Sequence, residues 1–277
     1  MAVTTLPAVD GPPSVGSLLR GWRRRRRLSQ LDLANAAAVS ARHLSFVETG
    51  RSKPSPELVM HLAEHLDVPL RERNTLLLAA GFAPRYAQTP LDDAAMAPVR
   101  EALDTILAGH HPFPAVVADR HWNLVTANEA AFGLLTRGVA PELLASPANV
   151  LRVSLHPDGM APRILNFEEW ARDLLGTLDR QVAATRDRRL RDLLEEVTSY
   201  PNVAALGGSW RTRGETPTIV VPLRLRVGEG ASAYTQSWFS TNTSIGTPVD
   251  ITLEELHVEL FHPADEATAA LVGGRTA

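Results

Sequence analysis

Residues 28–56 read LSQLDLANAAAVSARHLSFVETGRSKPSP, and the spacing of polar and apolar positions in this stretch decides the organisation of the first third of the chain. Ser29 is placed to cap a helix, and Asp32 three residues on complements its first turn. Leu31, Leu33, Ala34 and Ala37 then fill two helical turns. Val39-Ser40 makes a short turn and a second N-cap, followed by a helix over 41–48 with Leu44 and Val47 turned inward and Gly50 ending it. Pro54-Ser55-Pro56 opens a fourth helix, with Leu58, Val59, Leu62, Ala63 and Leu66 as its apolar stripe and Pro69 as its break. Upstream, Val15, Leu18, Leu19 and Trp22 recur at helical spacing on a helix ending near Arg27; downstream, Leu76, Leu77, Leu78 and Ala80 carry a fifth helix up to Gly81. The expectation is an all-α bundle of short helices over 15–82, preceded by a disordered tail over 1–14.

The whole chain has 277 residues, room for one large domain or two smaller ones. Its charge favours two. Residues 1–90 hold 12 Lys/Arg against 7 Asp/Glu, whereas residues 91–277 hold 16 against 24. A basic first third suits a polyanion, and an acidic remainder does not. Cysteine is absent, which excludes disulfides, zinc ribbons and cysteine nucleophiles. No apolar run approaches the roughly 18 residues of a membrane span, and the N-terminus lacks the basic-then-apolar pattern of a secretion signal. A cytoplasmic protein with no membrane partner is expected.

Residues 83–98 carry several prolines and little periodicity and read as a linker. A second domain over 99–277 opens with a helix, then a strand over 115–118, a turn at 119–123, a returning strand over 124–126 and a helix over 129–135 capped by Asn128. That order begins many PAS-like sensor domains. Phe167, Trp170, Ala171, Leu174, Leu175, Leu178 and Val182 trace one face of a long helix, and Leu190, Leu193, Leu194 and Val197 trace another. Alternating stretches over 219–227, 234–245 and 256–261, then a short helix over 264–271, complete an α+β domain with an antiparallel sheet.

Catalytic signatures are missing. There is no Gly-x-Ser-x-Gly elbow, phosphate-binding glycine loop or dinucleotide fingerprint, and Gly207-Gly208-Ser209 lacks the elbow pattern. Glu168-Glu169 and Glu195-Glu196 fall on polar helix faces. His61 to His65 spells H-x-x-E-H, a zinc-peptidase pattern, but it lies in the fourth helix of a small bundle, with no third ligand evident. No catalytic residue, metal or cofactor is assigned. Aromatic side chains are the handle on a ligand pocket. Trp122, Phe132, Trp170, Trp238 and Phe239 are the candidates, although adjacent Trp238 and Phe239 must point to opposite faces of a strand. His156, before Pro157-Asp158-Gly159, reads first as a turn residue.

The string Leu28-Ser29-Gln30-x-x-Leu33-Ala34, Val39-Ser40-x-x-x-Leu44-Ser45-x-Val47-Glu48-x-Gly50-Arg51, Pro54-Ser55 resembles the helix-turn-helix of lambda- and Cro-type repressors, the XRE type, over about residues 16–82. The Ser40-capped helix would enter a major groove with Ala41, Arg42, Ser45 and Phe46 outward. Arg42 is the candidate for a bidentate guanine contact, worth ~1–3 kcal/mol of discrimination. The resemblance implies a phosphate contact for Gln30 and a structural Arg23–Glu48 pair. Phe46 departs from the polar reader common at its position. Arg20, Arg24 and Arg27, spaced to share one helix face, are expected on phosphates, and Arg51 joins the set.

A second resemblance covers about residues 99–272. Val117-Ala118-Asp119-x-x-Trp122-Asn123-Leu124-Val125-x-Ala127-Asn128, Leu155-His156-Pro157-Asp158-Gly159, Val221-Pro222-Leu223, Gly246-Thr247-Pro248-Val249-Asp250-Ile251-Thr252-Leu253 and Phe261-His262-Pro263-Ala264-Asp265 are similar to the ligand-binding domain of MmyB-like transcription regulators. The resemblance keeps a ligand role open for His156. It implies a double-stranded operator as partner and a small, apolar, fatty-acyl-like effector. A homodimer is expected, because one recognition helix reads too few bases. The rivals are a helix-turn-helix interaction scaffold and an enzyme tethered to DNA.

Overall fold

The computed structural model describes residues 13–208, 221–228, 230–243 and 249–273. Most of the expected N-terminal tail, Trp210, the start of the strand expected at Ile219 and the end of the one expected to reach Ile245 lie outside them. The chain divides into two compact units, one within Met1–Pro90 and Thr247–Glu254, the other within Leu91–Gly246 and Glu255–Ala277.

The first unit is helical: α1 Val15–Arg25, α2 Gln30–Ala36, α3 Ala41–Glu48, α4 Pro56–His65 and α5 Leu70–Ala79. Serines 14, 29, 40 and 55 each accept a main-chain N–H at the start of α1 to α4, and Ser29 forms a reciprocal capping box with Asp32. All five helices end the same way. Arg27, Ala38, Gly50, Asp67 and Gly81 take positive φ, and the next residue's N–H bonds five residues back, as in Val39 to Ala34 at 2.9 Å and Val68 to Ala63 at 2.9 Å. Four of those next residues, Leu28, Val39, Val68 and Phe82, are hydrophobics packed in or against the core. Leu19, Leu33, Leu44, Val47, Val59 and Leu62 are fully buried within it.

Two of the apolar residues on these helices stay in solvent. Leu31 is 59% exposed and Leu78 is 58% exposed. Leu31 points away from the face that carries Leu33, Ala34 and Ala37, and Leu78 follows the inward pair Leu76 and Leu77. A helix of this length buries one stripe, and apolar residues off it stay in solvent. Arg27 departs from expectation. It lies beyond the end of α1, so it does not share a helix face with Arg20 and Arg24.

A return segment completes this unit. Helix α12, Ile251–Glu254, packs on α5. The N-cap of α5 is Pro69, which offers no side-chain acceptor, and the Glu254 carboxylate instead accepts the Leu70 N–H at 2.8 Å. Asp250 accepts from the Thr89 hydroxyl at 2.7 Å and main-chain N–H at 3.1 Å.

The second unit has a five-stranded antiparallel sheet in the order β2-β1-β5-β4-β3, from β1 Ala115–Ala118, β2 Leu124–Ala127, β3 Leu223–Val227, β4 Tyr234–Thr243 and β5 His257–Pro263. The helices are α6 Ala97–Gly109, α7 Glu129–Leu135, α8 Val150–Leu155, α9 Phe167–Thr185, α10 Arg188–Ser199, α11 Pro201–Ala204 and α13 Glu266–Gly273. Register puts Leu223, Leu225, Gln236, Trp238, Ser240, Asn242, Glu259, Phe261 and Val116 on one face. The apolar members of that face meet Leu151, Leu155, Trp170, Leu175, Leu178 and Val197 in a single core. The Thr268 hydroxyl of α13 accepts the Ser237 main-chain N–H at 2.9 Å. The expected order of an all-α bundle followed by an α+β domain is what the chain adopts.

Candidate functional site

In the first unit the outward flank of α3 is built from its burial pattern. Leu44 and Val47 are 1% exposed, which turns Arg42 to solvent and leaves Ala41, Ser45 and Phe46 half-buried. Ser40 is exposed, and its hydroxyl accepts the His43 N–H at 3.0 Å. The Arg42 guanidinium lies 5.4 Å and that of Arg51 6.0 Å from the Phe46 ring centroid, so this aromatic is a shared platform for two cations.

Glu48 anchors the helix from below. Arg23 donates to both its carboxylate oxygens, at 2.7 and 2.8 Å, and spends another N–H on the Leu28 carbonyl at 2.8 Å. Gln30 Nε2 donates to the same carboxylate at 2.8 Å, and Arg20 donates to the Glu48 carbonyl at 2.8 Å. Burial alone would push the Glu48 carboxyl up; the bonds from Arg23 and Gln30 and the charges of Arg23 and Arg20 outweigh it and hold it below the usual range. Gly16 of α1 lies against the end of α3, where a Cβ would stand 2.3 Å from the Val47 carbonyl oxygen. Arg24, Arg27 and Arg51 are exposed. His61 Nε2 lies 2.7 Å from the Ala37 carbonyl oxygen and His65 Nδ1 2.9 Å from that of His61.

In the second unit the aromatic candidates do not converge on one place. Trp122 and Trp170 line a cavity of about 460 Å³ between α9 and the sheet, with Asp173, Gln181, His257 and Glu259. Trp122 sits there with φ 66 and donates its indole N–H to Gln181 at 2.8 Å. That cavity mixes carboxylates with an apolar wall: Asp119, Asp173 and Glu259 share it with Val116, Val150, Leu174 and Val221. Burial raises the Glu259 carboxyl, a hydrogen bond with Ser240 opposes the rise and the Asp173 charge adds to it, while burial lowers His257. Phe132 is 47% exposed at a small apolar hollow of about 80 Å³. Trp238 lines a different cavity of about 360 Å³. Phe239 is on the opposite face of the sheet, stacked on His262. His156 accepts the Asp158 N–H at 3.0 Å and packs on the Tyr200 ring, the geometry of a turn residue.

The sequence reading passed over Arg163, which lines the 360 Å³ cavity and an adjoining groove of about 1110 Å³. The signal was a lone charged residue inside the run Met160–Leu165.

Residues 99–272 match the family model described as the MmyB-like transcription regulator ligand binding domain, and residues 14–76 match one described as a helix-turn-helix domain. No curated protein gave a match. Among solved structures, the clp gene regulator ClgR from Corynebacterium glutamicum is similar at 26% identity, covering 37% of this chain and 99% of that one with a TM-score of 0.22. An RNA-binding light-oxygen-voltage receptor is similar at 14% identity, covering 98% of this chain and 63% of that one with a TM-score of 0.27. Superpositions this loose carry no weight for fold or partner. No helix among the described residues is long and apolar enough to cross a membrane.

Proposed function

The chain belongs to the MmyB-like transcription regulators, DNA-binding regulators with a ligand-binding domain, and from that premise we propose that it reads a specific operator as a homodimer and that a small effector in the second unit tunes its grip. The observation that carries the DNA half is the exposed flank of α3, with Arg42 beside Phe46 and the helix locked from behind through Glu48. On this XRE-type reading α3 enters the major groove N-terminal end first. Arg42 takes a guanine edge, Phe46 meets a thymine methyl, and Ser40, Ala41 and Ser45 border them. Gln30 gives one amide hydrogen to Glu48 and keeps the other for a phosphate. Arg24, Arg27 and Arg51 neutralise phosphates, whereas Arg20 is held on α3 and positions it. Residues 15–82 carry this activity, 83–98 link it, and 99–277 house the effector, with the difference that the return segment 247–254 clusters with the first unit.

Effector control is a population shift: a ligand that binds one arrangement of the dimer better changes the spacing of the two recognition helices. The effector expected is small and largely apolar, of fatty-acyl type. Regulator-type domains over most of the chain favour this reading over a tethered enzyme, and the basic reader flank favours it over a scaffold.

The test is a gel-shift series on DNA from upstream of the protein's own coding region. The wild type should prefer that duplex to scrambled competitor, and Arg42→Ala should lose about 1–3 kcal/mol of the preference while melting normally. Unchanged discrimination in Arg42→Ala would remove it as a reader. No preference for any duplex would remove the operator reading altogether.

A further inference from the structure

The connection between β4 and β5 is longer than their pairing needs. The two strands are antiparallel neighbours down to Thr243 opposite Val258, where a hairpin loop of about 2–5 residues would serve. Residues 244–256 join them instead, and within that stretch Thr247–Glu254 belongs with the first unit. Ile251 there is 3% exposed, and its N–H donates to the Ala87 carbonyl at 2.9 Å. Asp250 accepts the Thr252 N–H at 2.8 Å and so closes the first turn of α12. A connection of the second unit's sheet thus supplies part of the first unit's fold.

The crossing point is a single peptide bond. Glu254 ends the first-unit part and caps α5 through the Leu70 N–H. Glu255 begins the second-unit part, and its carboxylate accepts from Arg120 Nη1 at 2.8 Å. Arg120 Nη2 also donates to Asp187, and His121 Nε2 lies 3.0 Å from the same carboxylate. Two neighbouring carboxylates are therefore anchored on different partners, one on the start of α5 and the other on the turn between β1 and β2. Successive Cα atoms are about 3.8 Å apart, so movement of the Glu255 backbone carries Glu254 with it. The 2.8 Å cap bond weakens once stretched past about 3.2 Å.

Both roots of the segment meet one cavity. Ser240 and Asn242 near the end of β4, and His257 and Glu259 at the start of β5, line the hollow of about 460 Å³ with Asp119 and Trp122 of the β1–β2 turn. Within the first unit α5 packs on α1, and α1 holds α3 through the bonds of Arg20 and Arg23 to Glu48.

We infer that residues 250–254 are a strap by which the second unit sets the reader. With Glu254 on Leu70 the first turn of α5 is capped and α1 and α3 are held; when the Arg120–Glu255 anchor moves, the cap opens. The inference rests on the effector reading above and supplies its route. A ligand in the 460 Å³ cavity lies on the strand ends that carry the strap, and it shifts the balance if it binds the capped and uncapped states unequally.

The experiment uses the full chain, with hydrogen exchange over the start of α5 and gel shifts as readouts. Glu254→Ala should speed exchange across that turn about fivefold, the change expected from the ~1 kcal/mol of a helix cap, and weaken operator binding in step. Arg120→Met removes only the second-unit anchor, yet it should speed exchange at the same turn about twofold or more. Inserting Gly-Ser-Gly between Glu254 and Glu255 should abolish that response to Arg120→Met. Should Arg120→Met fail to fold, Glu255→Gln keeps the shape, drops the ion pair and should give the same rise. Unchanged exchange in the anchor variants, or a rise that survives the insertion, would overturn the strap. An effector that alters operator affinity while exchange at α5 stays constant removes the strap and keeps the effector reading. Exchange that follows the variants, with no small molecule altering operator affinity, keeps the strap and removes that reading.

Discussion

Glu48 is held by three side chains at once, and its burial makes it the residue on which the reader flank depends. Its side chain is fully buried, so neutralising it strands the Arg23 charge. Glu48→Gln should destabilise the first unit by about 3 kcal/mol at neutral pH, read by urea unfolding. The folded carboxyl lies below its ordinary value of 4.5, so the ion pair stabilises fully above that value and loses its contribution as pH falls through the lowered one. The gap between wild type and variant should therefore close on acidification from pH 4.5 downward; a constant gap would show that packing, not charge, holds the helix. The Arg23–Glu48 pair was legible from residue identity and resemblance. The destination of Arg20 was not, because a run of arginines says nothing about which guanidinium finds a carbonyl.

Among the elements, α1 and α3 approach so closely that a single methyl group decides their spacing. Gly16→Ala would ordinarily gain up to about 1 kcal/mol of helix propensity. Here the new Cβ would stand 2.3 Å from the Val47 carbonyl and 2.8 Å from that of Glu48, both backbone atoms that cannot swing aside. Overpacking of this kind costs about 1–3 kcal/mol, so the clash wins. The variant should melt lower and bind DNA more weakly; a melting temperature at or above wild type would mean that α1 shifts freely. Element boundaries in this unit were readable because serine caps and hydrophobic residues after left-handed turns are local signals. The strands β1 and β2 and helix α7 fall where two short apolar runs about a turn and the Asn128 cap put them. Which aromatics share a cavity was not readable, since Trp122, Trp238 and Phe132 are brought near or apart by register and by packing of distant segments.

For the whole molecule, the division of the chain matters more than its charge. Residues 1–90 look self-sufficient in sequence, with their own caps, core and basic surface. In the structure α5 starts at Pro69 without a cap of its own and takes one from Glu254, while Thr89 is tied to Asp250. Sequence periodicity cannot reveal such a debt, because the lender lies about 180 residues downstream. A fragment of residues 1–90 should keep its helices by circular dichroism but unfold at a lower temperature than a fragment mixed with, or fused to, the 247–254 segment. Equal melting would show that the return segment contributes nothing to the fold.

Grafting is the place where that division would be felt. The DNA reader of this chain is not a bead that can be cut at one point and threaded onto another sensor. A chimaera that joins it to a foreign partner at a single seam leaves α5 uncapped, and only a two-seam splice that carries the downstream octapeptide along delivers the reader intact.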